Sequence, residues 1–212
     1  MTGIIFVHWA VTALHPPRPW RHCPTCGDAR PFLSSGRIRL NANGQRLDAW
    51  LIYKCAQCKR TWNRPVADRV PRAAAPDAVL EGWQQSLPDA VRVLEFDHAA
   101  LSRFATRIDA GDAVSVVKAV TAAPRGDPEL ATIALTAGMG VSLRLDRLLA
   151  QELGLSRSRL SRMARSGQLS FPGRSGTGLN RAVTDGVVAL ALGGLNGEER
   201  RAMITALTCE TA

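Results

Sequence analysis

The strongest constraint on the fold is the spacing of four cysteines, which form two pairs with two residues inside each pair. Cys23 and Cys26 form the first pair, Cys55 and Cys58 form the second, and 28 residues separate the pairs. A two-residue gap lets both thiolates of a pair converge on one ion, while the amides of the turn point at the sulfur atoms. Gly27 permits the left-handed turn that closes the first pair. The sequence therefore predicts one tetrahedral site with four thiolate ligands.

The ion expected at this site is a single structural Zn²⁺, because four protein ligands leave no open coordination position. Strands are predicted over 37–41 and 47–54 with a tight turn at Asn43-Gly44, and a hairpin between two cysteine turns is a zinc ribbon. Two alternatives stay open. The cysteines could form disulfides or remain unliganded thiols, or the bound ion could be iron. The first pair and the gap resemble rubredoxin, but Lys59 follows the second pair where a second glycine is expected.

Composition and charge indicate a folded α+β protein with a polyanionic partner. Hydrophobic residues make up 46% of the 212 residues, and 27 basic against 18 acidic side chains give a net charge of +9. The charge is uneven, at +9 over 1–72, −4 over 73–143 and +4 over 144–212. We predict these three segments as domains: a zinc ribbon with an N-terminal strand, an acidic α+β segment and a basic module. Two prolines within Val70–Asp77 are typical of a linker at the first boundary.

The N-terminus contains an apolar run, Gly3–Leu14, which is too short to cross a bilayer and lacks the basic start of a signal peptide. We therefore expect a buried strand here, a cytoplasmic protein and no membrane partner. In a reducing compartment, paired cysteines are metal ligands more often than disulfides.

The middle segment predicts mixed secondary structure and no catalytic residue. A helix is expected from a cap at Asp97 to a stop at Gly111, with Leu101, Phe104 and Ile108 on its apolar face. A strand is expected over 130–136, with its partner over 141–143. The pattern over 113–120 fits either a helix or a strand.

The last third predicts two short helices followed by a small sheet. The first helix opens at Arg144 and ends at Gly154, and the second follows a cap at Ser156 and ends at Gly167. Leucines lie on one face of each helix, while the arginines of the second helix lie on the roughly opposite face. A strand over 168–171, a glycine-rich turn over 172–178 and strands over 182–192 complete the module.

These helices resemble the RNA-binding domain first seen in ribosomal protein S-four. The matching residues are Arg144-Leu145-Asp146 with Leu148-Leu149, then 155–159, Gly167 and the strand pattern over 183–192. Pro172-Gly173 and Asp185-Gly186 depart from the loops of that family. The resemblance implies that the paired helices bind structured RNA, chiefly through phosphates. The contacts that it implies are Arg144, Arg147, Arg157, Arg159, Arg162 and Arg165.

A wider resemblance runs from the first cysteine pair, through 41–48 and 50–55, to the C-terminal module. Over this length the chain is similar to a bacterial family known as domain of unknown function 1062. That resemblance implies an architecture but no reaction and no ligand.

The sequence thus predicts a zinc-containing protein that binds ribosomal or transfer RNA. A protein-interaction adaptor or a DNA-binding transcription regulator that uses the ribbon is the alternative. An RNA-modifying enzyme is less favoured, since Gly44–Asp48 only loosely resembles the catalytic motif of pseudouridine synthases. Basic and aromatic residues of the ribbon suit phosphate contacts and base stacking, unless the aromatics form its core. These residues are Arg37, Arg39, Arg46, Lys54, Lys59, Arg60 and Arg64, with Trp50, Tyr53 and Trp62.

Overall fold

The computed structural model describes residues 3–111, 113–172 and 178–209, and has an α+β fold. The chain forms two compact units: residues 15–111, here called the ribbon unit, and residues 1–14 with 112–212, here called the helix-pair unit. These boundaries differ from the predicted ones after residues 72 and 143. The N-terminal strand belongs with the C-terminal residues, since its buried side chains pack there. The charge also divides differently, because the ribbon unit has 15 basic and 9 acidic residues and contains most of the acidic segment.

The ribbon unit contains a five-stranded sheet in which all neighbouring strands are antiparallel. In chain order its strands are β2 (Arg18–Cys23), β3 (Asp28–Asn43), β4 (Arg46–Cys55), β5 (Thr61–Pro71) and β6 (Arg107–Asp109). Their order across the sheet is β5-β4-β3-β2-β6. The tight turn predicted between the central strands is confirmed, and Gly44 adopts a positive φ of 63° there. On β4, alternate side chains from Leu47 to Cys55 are buried, which places the core on one face of the sheet.

Helices cover part of this core where the sequence predicted a linker and one longer helix. They are α1 (Asp77–Gln85), α2 (Pro88–Glu95) and α3 (His98–Ser102), and a 3₁₀ turn at Arg72–Ala74 precedes them. The predicted linker is therefore a connection inside the unit. Val91 and Leu101 are buried against the sheet residues, which explains why the helices return to it.

The helix predicted from Asp97 to Gly111 starts correctly but is far shorter. Asp97 caps α3 by accepting a hydrogen bond from the backbone N–H of Ala100 at 2.9 Å. The helix ends at Ser102, and Ile108 instead pairs with Pro19 on the edge of the sheet. Because strand pairing satisfies the backbone of 107–109, tertiary structure overrides the helical periodicity of the sequence.

The helix-pair unit contains a second five-stranded sheet with the N-terminal strand inside it. Its strands are β1 (Ile4–Ala13), β7 (Val114–Ala122), β8 (Leu130–Ala137), β9 (Leu169–Ser170) and β10 (Gly186–Ala191). The order is β7-β1-β8-β10-β9, and only the β1–β8 pair is parallel. The buried strand predicted at the N-terminus is confirmed. The predicted partner of β8 at 141–143 is wrong, because β1 and β10 occupy both of its edges.

The described part of this unit also has three helices: α4 (Leu145–Leu153), α5 (Arg157–Arg165) and α6 (Gly197–Thr208). The first two match the predicted helices, since Gly154 ends α4 with a φ of 63° and the Ser156 hydroxyl accepts a hydrogen bond from the Arg159 N–H at 3.2 Å. The sequence did not predict α6, which Asn196 and Glu199 start with a capping box. Most of the predicted turn over 172–178 lies outside the described residues.

A buried ion pair connects α4 to the sheet of this unit. The Lys118 ammonium lies 2.8 Å from the Glu152 carboxylate, and it donates to the Ala206 carbonyl of α6 at 2.7 Å. The two side chains are 0% and 3% exposed, and the ammonium lies 4.8 Å from the ring of the buried Trp9. The pair therefore joins β1, β7, α4 and α6 at one point of the core.

Candidate metal centre and arginine-rich helix face

The four paired cysteines come together at the ends of two adjacent hairpins of the ribbon unit. Cys23 and Cys26 lie at the β2–β3 turn, and Cys55 and Cys58 lie at the β4–β5 turn. Pairing of Phe32 on β3 with Cys55 on β4 brings the two turns side by side. The Sγ atoms of Cys23 and Cys58 are 3.5 Å apart, those of Cys26 and Cys55 are 4.0 Å apart, and all four lie within 4.8 Å of one another.

These separations fit a tetrahedral metal site. Zn–S bonds of 2.3 Å place the sulfur atoms of a tetrahedron about 3.8 Å apart, within the range found here. All five cysteines have free thiols, so the disulfide alternative has no support. The sequence therefore identified a set of four ligands that could hold one metal ion.

The two cysteine turns share a backbone hydrogen bond and a left-handed residue despite their different sequences. The N–H groups of Cys26 and Gly27 donate to the Cys23 carbonyl at 3.1 and 2.9 Å, and the Lys59 N–H donates to the Cys55 carbonyl at 3.0 Å. Gly27 has a φ of 72°, and Lys59 has a φ of 63° although it carries a side chain. Lys59 thus adopts the left-handed conformation at a cost of roughly 1–2 kcal/mol, which a glycine would avoid.

Electrostatics at the site favour the thiolate of Cys23 and oppose that of Cys26. Burial acts to raise the pKa of Cys23, but hydrogen bonds from the Cys26 backbone, the Cys58 thiol and the Thr25 backbone lower it to about 7. Burial and the neighbouring thiols, Cys58 first, raise the pKa of Cys26 to about 12. Four adjacent thiolates repel one another, so a bound cation is needed to hold the full set deprotonated.

The aromatic and basic residues of the ribbon divide between the core and the surface. Tyr53 is 0% exposed and Arg64 is 1% exposed, so both belong to the core beneath the helices. Trp62 packs against Phe32 and Tyr53, and the Arg21 guanidinium lies 4.2 Å from its ring. The prediction of a contact surface is therefore wrong for Tyr53 and Arg64. The other six basic residues of the predicted surface are exposed: Arg37, Arg39, Arg46, Lys54, Lys59 and Arg60.

Two of the six arginines implied as RNA contacts are held by one buried carboxylate. Asp146 accepts hydrogen bonds from Nε and Nη2 of Arg144 at 3.1 and 3.0 Å, and it forms an ion pair with Arg157 at 2.7 Å. Arg144 also donates to the Asn180 side chain at 2.8 Å. Burial acts to raise the pKa of Asp146, but the hydrogen bonds from Arg144 and Arg157 hold it below its usual value. The side chains of Arg144 and Arg157 are 45% and 57% exposed, so they remain accessible.

The other arginines of the pair of helices differ in their partners. Arg147 is exposed on α4, and Arg159 pairs with Glu199 of α6 at 3.2 Å. Within the described residues, the exposed side chains of Arg162 and Arg165 form no hydrogen bond or ion pair. A shallow depression of ≈ 710 Å³ runs along this face, lined by Arg159, Arg162, Met163, Arg165, Ser166, Gln168 and Glu199.

Sequence reasoning missed the two carboxylates that organise this face. Asp146 lies in the first turn of a helix, where an acidic residue is common for helix stability alone. Glu199 lies on α6, which the sequence did not predict.

The motif Gly44–Asp48, which loosely resembles that of pseudouridine synthases, has a structural explanation. Its Asp48 carboxylate accepts a hydrogen bond from the Arg69 backbone N–H at 2.7 Å. Among the described residues, no helix is long and apolar enough to span a bilayer, and the longest has 12 residues.

Fold and site together define an α+β protein with a four-cysteine centre that could bind a metal, and with an arginine-rich pair of helices. The chain belongs to the family described as protein of unknown function DUF1062, which matches residues 40–174. The match contains Cys55 and Cys58 and all six arginines, whereas Cys23 and Cys26 lie before it. No curated protein and no solved structure matches the chain.

Proposed function

We propose that this protein is a zinc-stabilised RNA-binding protein that contacts the phosphates of structured RNA through α4 and α5. The observation that carries the proposal is the unpaired state of Arg162 and Arg165 beside Arg159 on one helix face, among the described residues. Guanidinium groups without a protein partner are available to phosphate oxygens, for which their fork geometry is well suited.

The proposed zinc ion would be held by Cys23, Cys26, Cys55 and Cys58 and would stabilise the fold. Bound zinc would offset part of the repulsion among the four thiolates and would link the β2–β3 and β4–β5 turns. An all-sulfur tetrahedral donor set fits zinc, and iron is the competing ion. Metal analysis of protein purified from cells separates the two, because an iron–thiolate centre is coloured whereas zinc is colourless.

The helix face is suited to the shape of RNA more than to its sequence. Asp146 restricts Arg144 and Arg157, so these two side chains lose less freedom on binding phosphates than unrestrained arginines would. The face presents arginines but few side chains that suit the edges of bases, which favours stems and junctions as targets. Binding that depends on phosphates should weaken steeply with salt.

Crosslinking and sequencing of RNA bound to the tagged protein in cells tests the proposal. The informative variant is Arg162→Glu with Arg165→Glu, since Arg159 already has a carboxylate partner. Arg37→Glu with Arg39→Glu makes the same change of charge on exposed residues of the ribbon unit and serves as the control. We expect discrete structured RNAs with the native protein and the control, and their loss with the helix variant.

The alternative functions predict other outcomes in the same experiment. If no RNA is enriched over the helix variant, the RNA proposal is wrong. If enrichment is lost only with the ribbon variant, RNA is bound by the ribbon unit, and the proposal for α4 and α5 is wrong.

A further inference from the structure

Three buried polar atoms without a hydrogen-bond partner lie close together in the ribbon unit. They are Nε and Nη1 of Arg64 and the hydroxyl of Tyr53, and they make up three of the five such side-chain atoms among the described residues. Tyr53 on β4 and Arg64 on β5 face the same side of the sheet, because Arg64 lies opposite Leu51 in the register. Unpaired buried donors are rare in native proteins and costly, so their concentration at one place indicates a missing acceptor.

Arg64 has one hydrogen bond that does not neutralise its charge. Its Nη2 donates to the backbone carbonyl of Leu94 on α2 at 2.9 Å. Burial lowers the pKa of Arg64, while the neighbouring Tyr53 and Asp97 act in the opposite direction. An arginine nevertheless remains protonated in proteins, so a positive charge that is 99% buried stays without an ion-pair partner among the described residues.

A cavity of ≈ 400 Å³ lies next to this arginine, between β5 and the helices α2 and α3. Arg64, Leu94 and Phe104 contribute to its lining, and Arg103 adds a second positive charge. Asp68 and Asp97 also line it, and the Asp97 carboxylate accepts a hydrogen bond from the backbone as the cap of α3. Cavities of this size hold small molecules, with an apolar lining and a few polar groups that fix orientation.

We propose that this cavity binds an oxyanion of a small molecule, a carboxylate or a phosphate group, with Arg64 as the buried anchor and Arg103 as a second cation. Arg64 lines the cavity with a positive charge that has no ion-pair partner among the described residues, and such a charge favours an anion over a neutral acceptor. The site is in the ribbon unit and is independent of the RNA face on α4 and α5.

The test titrates inorganic phosphate or acetate, at constant ionic strength, into the full chain purified with its metal. Thermal unfolding is followed for the native protein, for Arg64→Met, and for Arg162→Gln with Arg165→Gln as a control that removes cations elsewhere. We expect one or both anions to raise the melting temperature of the native protein and the control equally. Arg64→Met should bind the anion about tenfold more weakly or worse, because charged hydrogen bonds are lost.

The same variant separates a binding role from a purely structural one. Without anion, Arg64→Met should be at least as stable as the native protein, because it removes a buried charge that has no partner. The proposal is overturned if Arg64→Met responds to the anions as the native protein does, or if neither anion shifts the native protein.

A second measurement needs no variant and applies even if Arg64→Met does not fold. In ¹⁵N NMR spectra of the native protein, the Nε–H resonance of Arg64 should move in a saturable way during the phosphate or acetate titration. A resonance that stays in place with both anions would exclude the site.

Discussion

The two units of this protein are stabilised by different kinds of core. The described residues of the helix-pair unit include a cluster of 25 buried hydrophobic residues, whereas the cluster of the ribbon unit has eight, two of which are cysteines of the candidate metal centre. Burial of a large apolar side chain contributes about 1.5–3 kcal/mol, so the first cluster can support a fold by itself. Because its buried cluster is small, we expect the ribbon unit to depend on a metal ion held by its cysteines, as small domains with modest cores commonly do.

Removal of the metal should cause the largest loss of stability, and the loss should be confined to the ribbon unit. We expect Cys55→Ser, or chelation at neutral pH, to unfold the ribbon unit, since a structural zinc site contributes on the order of 10 kcal/mol. Hydrogen exchange followed by mass spectrometry should show rapid exchange over 18–71 and continued protection of β1, β8 and α4. Cys209→Ser changes an exposed thiol and is the control. Equal loss of protection in both units would contradict the inference that only the ribbon unit depends on the metal.

Breaking the buried ion pair should have the next largest effect and should act on the other unit. Glu152→Gln leaves the buried Lys118 without its charge partner, so we expect a loss of about 3 kcal/mol or more in the free energy of unfolding of the helix-pair unit. Hydrogen exchange of β1, β8 and α4 at increasing denaturant concentration measures it, because four of the five tryptophans lie in the ribbon unit and would obscure the fluorescence of Trp9. The double variant Lys118→Met with Glu152→Leu should recover part of the loss. The metal content should stay unchanged in both variants.

A smaller effect is expected for the carboxylate that holds Arg144 and Arg157. The folded-state pKa of Asp146 is below its ordinary value of about 4, so its contribution is fully present above that value and is lost as the pH falls through the folded-state pKa. We expect Asp146→Asn to cost on the order of 1 kcal/mol near neutral pH, since both arginines are partly exposed. The difference in hydrogen exchange of α4 and α5 between this variant and the native protein should stay constant from pH 6 down to about pH 4 and should shrink at lower pH.

The smallest effects should distinguish the two cysteine turns. Gly27→Ala places a side chain in the left-handed region and should destabilise the metal-loaded ribbon unit by about 1 kcal/mol. Lys59→Gly removes the same strain but gives the unfolded chain more freedom, so we expect a change of less than about 0.5 kcal/mol. Thermal unfolding of the two variants side by side measures the difference. A larger loss for Lys59→Gly would mean that the Lys59 ammonium, which donates to the Ala56 carbonyl at 3.1 Å, stabilises the turn.

Local signals predicted the elements that depend on neighbouring residues. The Cys-x-x-Cys turns, the cap at Ser156 and the stop at Gly154 involve groups only a few residues apart, so the sequence contains their whole explanation. Ile108 shows the limit of such reasoning, because it fits a helical face but lies in a strand that pairs with residues near position 19. The helix α6 was missed because its apolar residues do not form a clear stripe in the sequence.

The sequence by itself determined the four thiol ligands, the two helices and the arginines on them, because residue spacing and caps act over short distances. Only the tertiary structure decided that β1 lies between β7 and β8, and that Arg64 is buried under a helix. It also decided that Asp146 and Glu199 select which arginines are paired. These contacts join residues far apart in the chain, and their free energy depends on packing and burial that no local pattern specifies.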